Sequence, residues 1–149
     1  MSDGDGPTFR AATEADAEAL TALERDTNLV ALAHVFPGVP YPEDDVKARW
    51  LRLVVDPAVR VEVAGPPECL DVYLAWDETT LRHLGVRPEQ WGTGLGRAAV
   101  DRAGAVTRLW VLARNHQARG FYEHLGWRPT GREQDAEWPP HPREMEYTR

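Results

Sequence analysis

The sequence predicts a single α/β domain, and three observations carry that reading. Segments with strand character alternate along the chain with segments of helical periodicity, instead of clustering apart. The 149 residues, 42% of them hydrophobic and six of them Trp, are enough to bury one substantial core. Finally, Trp91-Gly92-Thr93-Gly94-Leu95-Gly96-Arg97 lies where a short apolar run meets a helical pattern. Alternating glycines at such a junction let the backbone come very close to a bound group.

Taken in order, residues 1–7 are acidic and polar and are expected to be disordered, and Thr8-Phe9-Arg10-Ala11 reads as a first strand. Thr13 suits the cap of a helix, with Glu14 and Asp16 in its positive first turn and Ala19, Leu20 and Leu23 as its apolar stripe. Residues 29–41, with His34, Phe36, Pro37, Gly38 and Pro40, read as irregular. Pro42 fits the first position of a second helix, followed by Glu43, Asp44 and Asp45. Its core face is Val46, Trp50, Leu53 and Val54, and Asp56-Pro57 ends it.

Strands are expected over 59–64 and 70–76, divided by Gly65-Pro66-Pro67, and over 81–86, leading into the glycine loop. A short helix over 95–103 and a strand over 108–112 follow. Asn115 then caps a helix whose apolar face is Ala118, Phe121, Tyr122 and Leu125, and Gly126 stops it. Residues 127–130 and 143–147 close the sheet, joined by Trp138-Pro139-Pro140-His141-Pro142.

Composition narrows the function classes. There is no apolar run of membrane-spanning length, and the polar N-terminus is unlike a signal peptide, so a cytoplasmic protein is expected. One cysteine, Cys69, permits neither an internal disulfide nor a cysteine metal cage, and no His-x-x-x-His pair is present, so no metal is expected. A net charge of −7, from 24 acids against 17 bases, argues against nucleic-acid binding. The acidity keeps the chain soluble and raises the local concentration of cations.

The glycine loop has a companion downstream: Leu109-Trp110-Val111, then Asn115, then Phe121-Tyr122-Glu123, then Leu125-Gly126-Trp127. The ordered pair resembles the GNAT superfamily of acyl-CoA-dependent N-acyltransferases. The resemblance implies a mixed central sheet flanked by helices in the order β-αα-βββ-α-β-α-ββ. It also implies acetyl-CoA as co-substrate and an amine, of a small molecule or a peptide, as acceptor. The family's motif Gln/Arg-x-x-Gly-x-Gly/Ala is met except at its first position, where Trp91 stands and Gln90 falls one place early. By this resemblance the pyrophosphate rests on Gly92, Thr93, Gly94, Leu95, Gly96 and Arg97, mostly on backbone N–H groups. Leu84 and Val86 pair with the pantetheine amides as an added strand would. Asn115 touches the pantetheine or pyrophosphate arm, a role compatible with its being a plain helix cap.

Attack of a neutral amine on a thioester needs a deprotonated acceptor, donors for the oxyanion and an acid for the leaving thiolate. Tyr122 is the candidate acid, because the family places its tyrosine in this context and a phenol stays protonated with a reference pKa of about 10. A core tyrosine is the alternative at this spacing. A backbone N–H near Leu84 is the implied oxyanion donor. For the base, His83 is the candidate; Asp77, Glu78, His34 and ordered water stay open. The family builds acceptor sites from the segments corresponding to 29–41 and 137–142. Two other functions stand beside this one. A non-catalytic acyl-CoA sensor would keep the loop without turnover. A nucleotide-dependent oxidoreductase would share the glycines, but its fingerprint follows the first strand of a βαβ unit with an acid about 20 residues on.

Overall fold

A computed structural model describes residues 7–35, 38 and 40–149. Its elements are β1 (Arg10–Ala11), α1 (Ala17–Ala31), α2 (Glu43–Val55), β2 (Arg60–Ala64), β3 (Val72–Trp76) and β4 (Thr80–Val86). They continue as α3 (Leu95–Arg102), β5 (Arg108–Leu112), α4 (His116–His124), β6 (Arg128–Asp135) and β7 (Arg143–Thr148). This is the expected α/β order. Residues 1–6, 36, 37 and 39 lie outside the described residues, and with them the expectation of a disordered N-terminus and the reading of Phe36 and Pro37.

Several boundaries differ from the sequence reading for identifiable reasons. The first strand is shorter than expected; Phe9 leaves it to pack on the core beneath the Arg102 guanidinium, 5.7 Å from the ring. The turn at Glu14–Asp16 is 3-10 rather than α, and the Asp16 carboxylate is what fixes it. It accepts the Thr13 N–H at 2.8 Å and two Arg10 donors at 2.7 and 2.9 Å. α1 runs on through Leu29 and Val30, both exposed, so residues 29–31 are helical rather than irregular. Pro42 precedes α2 instead of opening it.

The sheet order is β1-β2-β3-β4-β5-β7-β6, antiparallel except for β4 with β5. On β3 the period of two divides the two halves of the core. Val72, Leu74 and Trp76 join Ala99, Val100, Leu109, Val111 and Trp127 on the α3/α4 face. Tyr73 and Ala75 join Leu20, Leu23, Val46, Trp50 and Val63 on the α1/α2 face. Burial on both faces explains why the strand is apolar throughout. α3 is fastened across the sheet by Arg102, whose Nε and Nη2 donate to the two oxygens of Glu62 at 2.8 and 2.9 Å.

One irregularity shapes everything that follows. β3 pairs Trp76 with Leu81 but Ala75 with His83, so Arg82 is an extra residue on β4. Such a bulge bends its strand and re-aims what lies beyond it. β4 pairs with β5 only at Thr80–Arg108 and Leu81–Leu109, immediately before the bulge. Past it β4 stays with β3 through Val86, while β5 follows β7 along its whole length. A wedge therefore opens between the ends of β4 and β5.

Candidate active site

On one side of the wedge lies a cleft of about 460 Å³, bounded by α1, the end of β4, the glycine loop and α4. Gly92 and Gly94 have φ of +80° and +90°, the left-handed region where glycine alone is unstrained. A Cβ on either would meet nothing within 4 Å, so these glycines serve the turn and leave open space beside it. Gly96 is small for another reason. A Cβ there would lie 3.1 Å from the Phe121 ring, so its absence lets α3 approach α4. Gly94 is the N-cap of α3, and no side chain caps that end. The first-turn N–H groups of Leu95, Gly96 and Arg97 are left for an anion.

The edge of β4 faces the same cleft. The Arg87 N–H donates to the Asp71 carbonyl at 2.8 Å, toward β3. Strand alternation then turns the backbone groups of Val86 and Leu84 the other way, into the wedge that β5 has left. Trp91, the departure from the family pattern, acts here: its indole N–H donates to the Val86 carbonyl at 2.8 Å and occupies one of that oxygen's two acceptor positions.

Leu84, Val86, Gly92, Gly94, Gly96, Arg97, Asn115 and Tyr122 all line this cleft. Thr93 and Leu95 do not. The Thr93 hydroxyl donates to the Gln90 carbonyl at 2.6 Å, and Leu95 packs on the core, so each has only its backbone to offer. Asn115 is indeed a helix cap, its Oδ1 accepting the Ala118 N–H at 3.2 Å, and lines the cleft as well.

A second cleft of about 540 Å³ opens on the other side of the wedge, lined by Glu24, Arg49, His83, Glu137, Trp138 and Glu144 among others. The two clefts share Asn28, Tyr73, Leu84, Asn115, Ala118 and Tyr122, and so meet across the splayed strands. Tyr122 is 8% exposed, and its hydroxyl makes no hydrogen bond among the described residues. Burial pushes its phenol well above the ordinary value. Tyr147 is the contrast within the same fold: its hydroxyl donates to Glu123 at 2.5 Å and accepts from Arg119 at 3.0 Å, as core tyrosines do.

His83 is half-buried in the second cleft, its ring 5.4 Å from that of Trp50. Burial, then the Arg49 and Arg82 guanidiniums, push its pKa well below the usual value, so the imidazole is neutral at neutral pH. The other candidates are placed less well. Asp77 lines the cleft, but its carboxylate accepts from the Thr79 and Thr80 N–H groups at 2.9 and 2.8 Å and from Arg82 at 2.7 Å. Glu78 is exposed and lines neither cleft. His34 is also exposed, bonded through Nε2 to the Arg114 carbonyl at 2.6 Å and stacked on His116.

Sequence reasoning missed Tyr73 and Glu24. Tyr73 sits in an apolar strand and reads as core; only the fold carries its ring against Gly85, where a Cβ would collide with it. Glu24 had a signal: it falls four residues after Leu20 on the buried face of α1, an acid in the apolar stripe.

Residues 61–129 match an acetyltransferase (GNAT) domain. Among solved structures, an acetyltransferase from Thermus thermophilus is 27% identical, with 96% of each chain covered and a TM-score of 0.71. PaiA N-acetyltransferase from Thermoplasma acidophilum, solved with coenzyme A, is 17% identical over 97% of this chain and 99% of its own, with a TM-score of 0.68. Spermidine N-acetyltransferase from Vibrio cholerae, solved with CoA and spermine, is 17% identical over 95% and 93%, with a TM-score of 0.64. No curated protein sequence matches this one.

Proposed function

We propose that this chain, whose residues 61–129 match a GNAT acetyltransferase domain and whose fold is that of solved acetyltransferases, is a member of the GNAT superfamily that transfers an acetyl group from acetyl-CoA to a primary amine of a small molecule or peptide. The observation that carries this reading is the meeting of two clefts at Tyr122, one walled by an uncapped helix start and the other by titratable side chains. The pyrophosphate rests against residues 92–97 and the pantetheine arm runs along Leu84 and Val86 past Asn115. That brings the thioester to the junction.

The amine nitrogen attacks the carbonyl carbon, and the π electrons move to oxygen, an oxyanion to which a backbone N–H near Leu84 donates a hydrogen bond. Neutral His83, on the acceptor side, takes the proton that nitrogen must lose. The C–S bond then breaks and Tyr122 gives its proton to the thiolate; the proton held by His83 returns to the phenolate through solvent. Its raised pKa keeps Tyr122 a protonated phenol throughout the working pH range. The acceptor site is built from Glu24, His83, Glu137, Trp138 and Glu144. Among the described residues no helix is long and apolar enough to cross a membrane. The test is release of free thiol from acetyl-CoA across a panel of amines, with the acetylated amine identified by mass spectrometry. Thiol release that tracks the amine supports the reading; tight binding of acetyl-CoA without transfer to any amine returns the protein to the sensor class.

A further inference from the structure

Glu24 and Arg49 form a buried ion pair on the wall of the acceptor cleft, 8% and 9% exposed. It is an incomplete pair. Arg49 Nη2 and the Trp50 indole N–H, the latter at 3.0 Å, both donate to the same oxygen, Oε1. Oε2 accepts no hydrogen bond among the described residues. Buried carboxylates ordinarily have every lone pair met, and one held half-satisfied is a poor stabilising device. The Tyr41 hydroxyl is buried beside the Glu24 carboxylate, its hydrogen-bonding neighbour, without a well-formed bond among the described residues. Tyr73 lines both clefts, and its ring packs against Trp50 and Gly85.

Glu24, Tyr73 and Tyr122 are arranged in sequence. Glu24 lines the acceptor cleft but not the donor cleft, Tyr73 lines both, and Tyr122 lies where they meet. Tyr73 is held rigidly: its ring lies edge-on to Trp50 at 5.0 Å and is seated on Gly85, where any larger residue would collide with it. Glu24 Oε2 can only accept, and a tyrosine hydroxyl can accept as well as donate, so the cleft suits a ligand rich in N–H donors. An ammonium has three N–H donors and no acceptor. The charge of the cleft agrees, since Glu24, Asp77, Glu137 and Glu144 face Arg49 and Arg82, with His83 neutral.

We propose that Glu24 and Tyr73 receive the acceptor: Glu24 Oε2 accepts a hydrogen bond from an N–H of the incoming ammonium, the ammonium releases one proton to solvent, and the Tyr73 hydroxyl holds the resulting neutral nitrogen where the clefts meet. The inference rests on the acetyltransferase reading and adds to it a preference for acceptors that arrive as cations. Glu24→Gln keeps an oxygen for Arg49 and Trp50 and removes the charge. With a strongly basic amine its acceptor KM should rise about 10- to 100-fold, the range for losing a charged hydrogen bond, with kcat little changed. With a weakly basic amine, uncharged at the assay pH, the same variant should behave as wild type, which a structural role would not produce. Tyr73→Phe should instead lower kcat. Acetyl-CoA affinity, measured by calorimetry, should be unchanged in both. Equal loss with charged and uncharged amines, or an unchanged KM and kcat in both variants, overturns the docking pair alone. If Glu24→Gln does not fold, Tyr73→Phe decides, a wild-type kcat counting against. Failure of the wild-type protein to acetylate any amine overturns this inference together with the function beneath it.

Discussion

Replacing Tyr122 by Phe separates a proton donor from a core aromatic. The ring would keep its edge contacts with Phe121 and Trp127, at 5.1 and 6.1 Å, and no hydrogen bond is lost because the hydroxyl makes none among the described residues. Stability should therefore change by less than about 1 kcal/mol. Acetyl-CoA affinity should likewise hold, since the side chain borders the cleft with its ring. The departing thiolate, however, loses its acid. Loss of general acid catalysis costs about 10²- to 10⁴-fold, or about 2.7–5.4 kcal/mol of transition-state stabilisation. The signature is a fall in kcat with the acetyl-CoA dissociation constant unmoved. Steady-state kinetics with the best amine of the panel, beside calorimetry, reads both quantities. Wild-type turnover in a folded Phe variant would remove Tyr122 from the mechanism.

Three further outcomes are expected. Gly94→Val places a branched side chain at φ +90°, straining the turn by about 1–3 kcal/mol and filling the open side of the loop; calorimetry should find acetyl-CoA binding abolished in a protein whose circular dichroism is preserved. His83 has a folded-state pKa below its unfolded value of about 6.5, so its stability contribution is intact above that pH. Below it the unfolded chain takes up a proton that the folded one refuses, and stability falls by up to about 1.4 kcal/mol per pH unit until the folded pKa is reached. Urea unfolding between about pH 7 and 5 should be less steeply pH-dependent in His83→Gln than in wild type, and equal slopes would refute the assignment. Chelator treatment should leave turnover unchanged; activity lost to the chelator and restored by zinc would show a metal site.

The sequence was most legible where one residue type answers one local demand. Gly92 and Gly94 are glycine because the turn needs left-handed backbone, and Asn115 caps a helix as its position before Ala118 suggests. The apolar faces of α1 and α2 followed from their spacing. What stayed hidden depends on partners distant in sequence. The strand expected over 127–130 runs on as β6 to Asp135; Gly131-Arg132-Glu133-Gln134-Asp135 is exposed and has no alternation to read, and its extension comes from pairing with β7. The bulge at Arg82 has no signature of its own, and neither does the wedge it creates. Tyr73 became part of the candidate site only once that wedge let two clefts share it, and the bond from the Trp91 indole to the Val86 carbonyl has no signal in the motif.

The most direct test of the central claim uses acetyl-CoA labelled in its acetyl group, incubated with the full chain and a panel of primary amines. Mass spectrometry of the amines and a thiol assay on the same samples follow the two halves of the reaction. Transfer at the junction of the clefts predicts the label on an amine in equal amount to the thiol released, with both lost in Gly94→Val. Labelled acetyl-CoA recovered intact from protein that binds it, with every amine unmodified, would contradict catalysis.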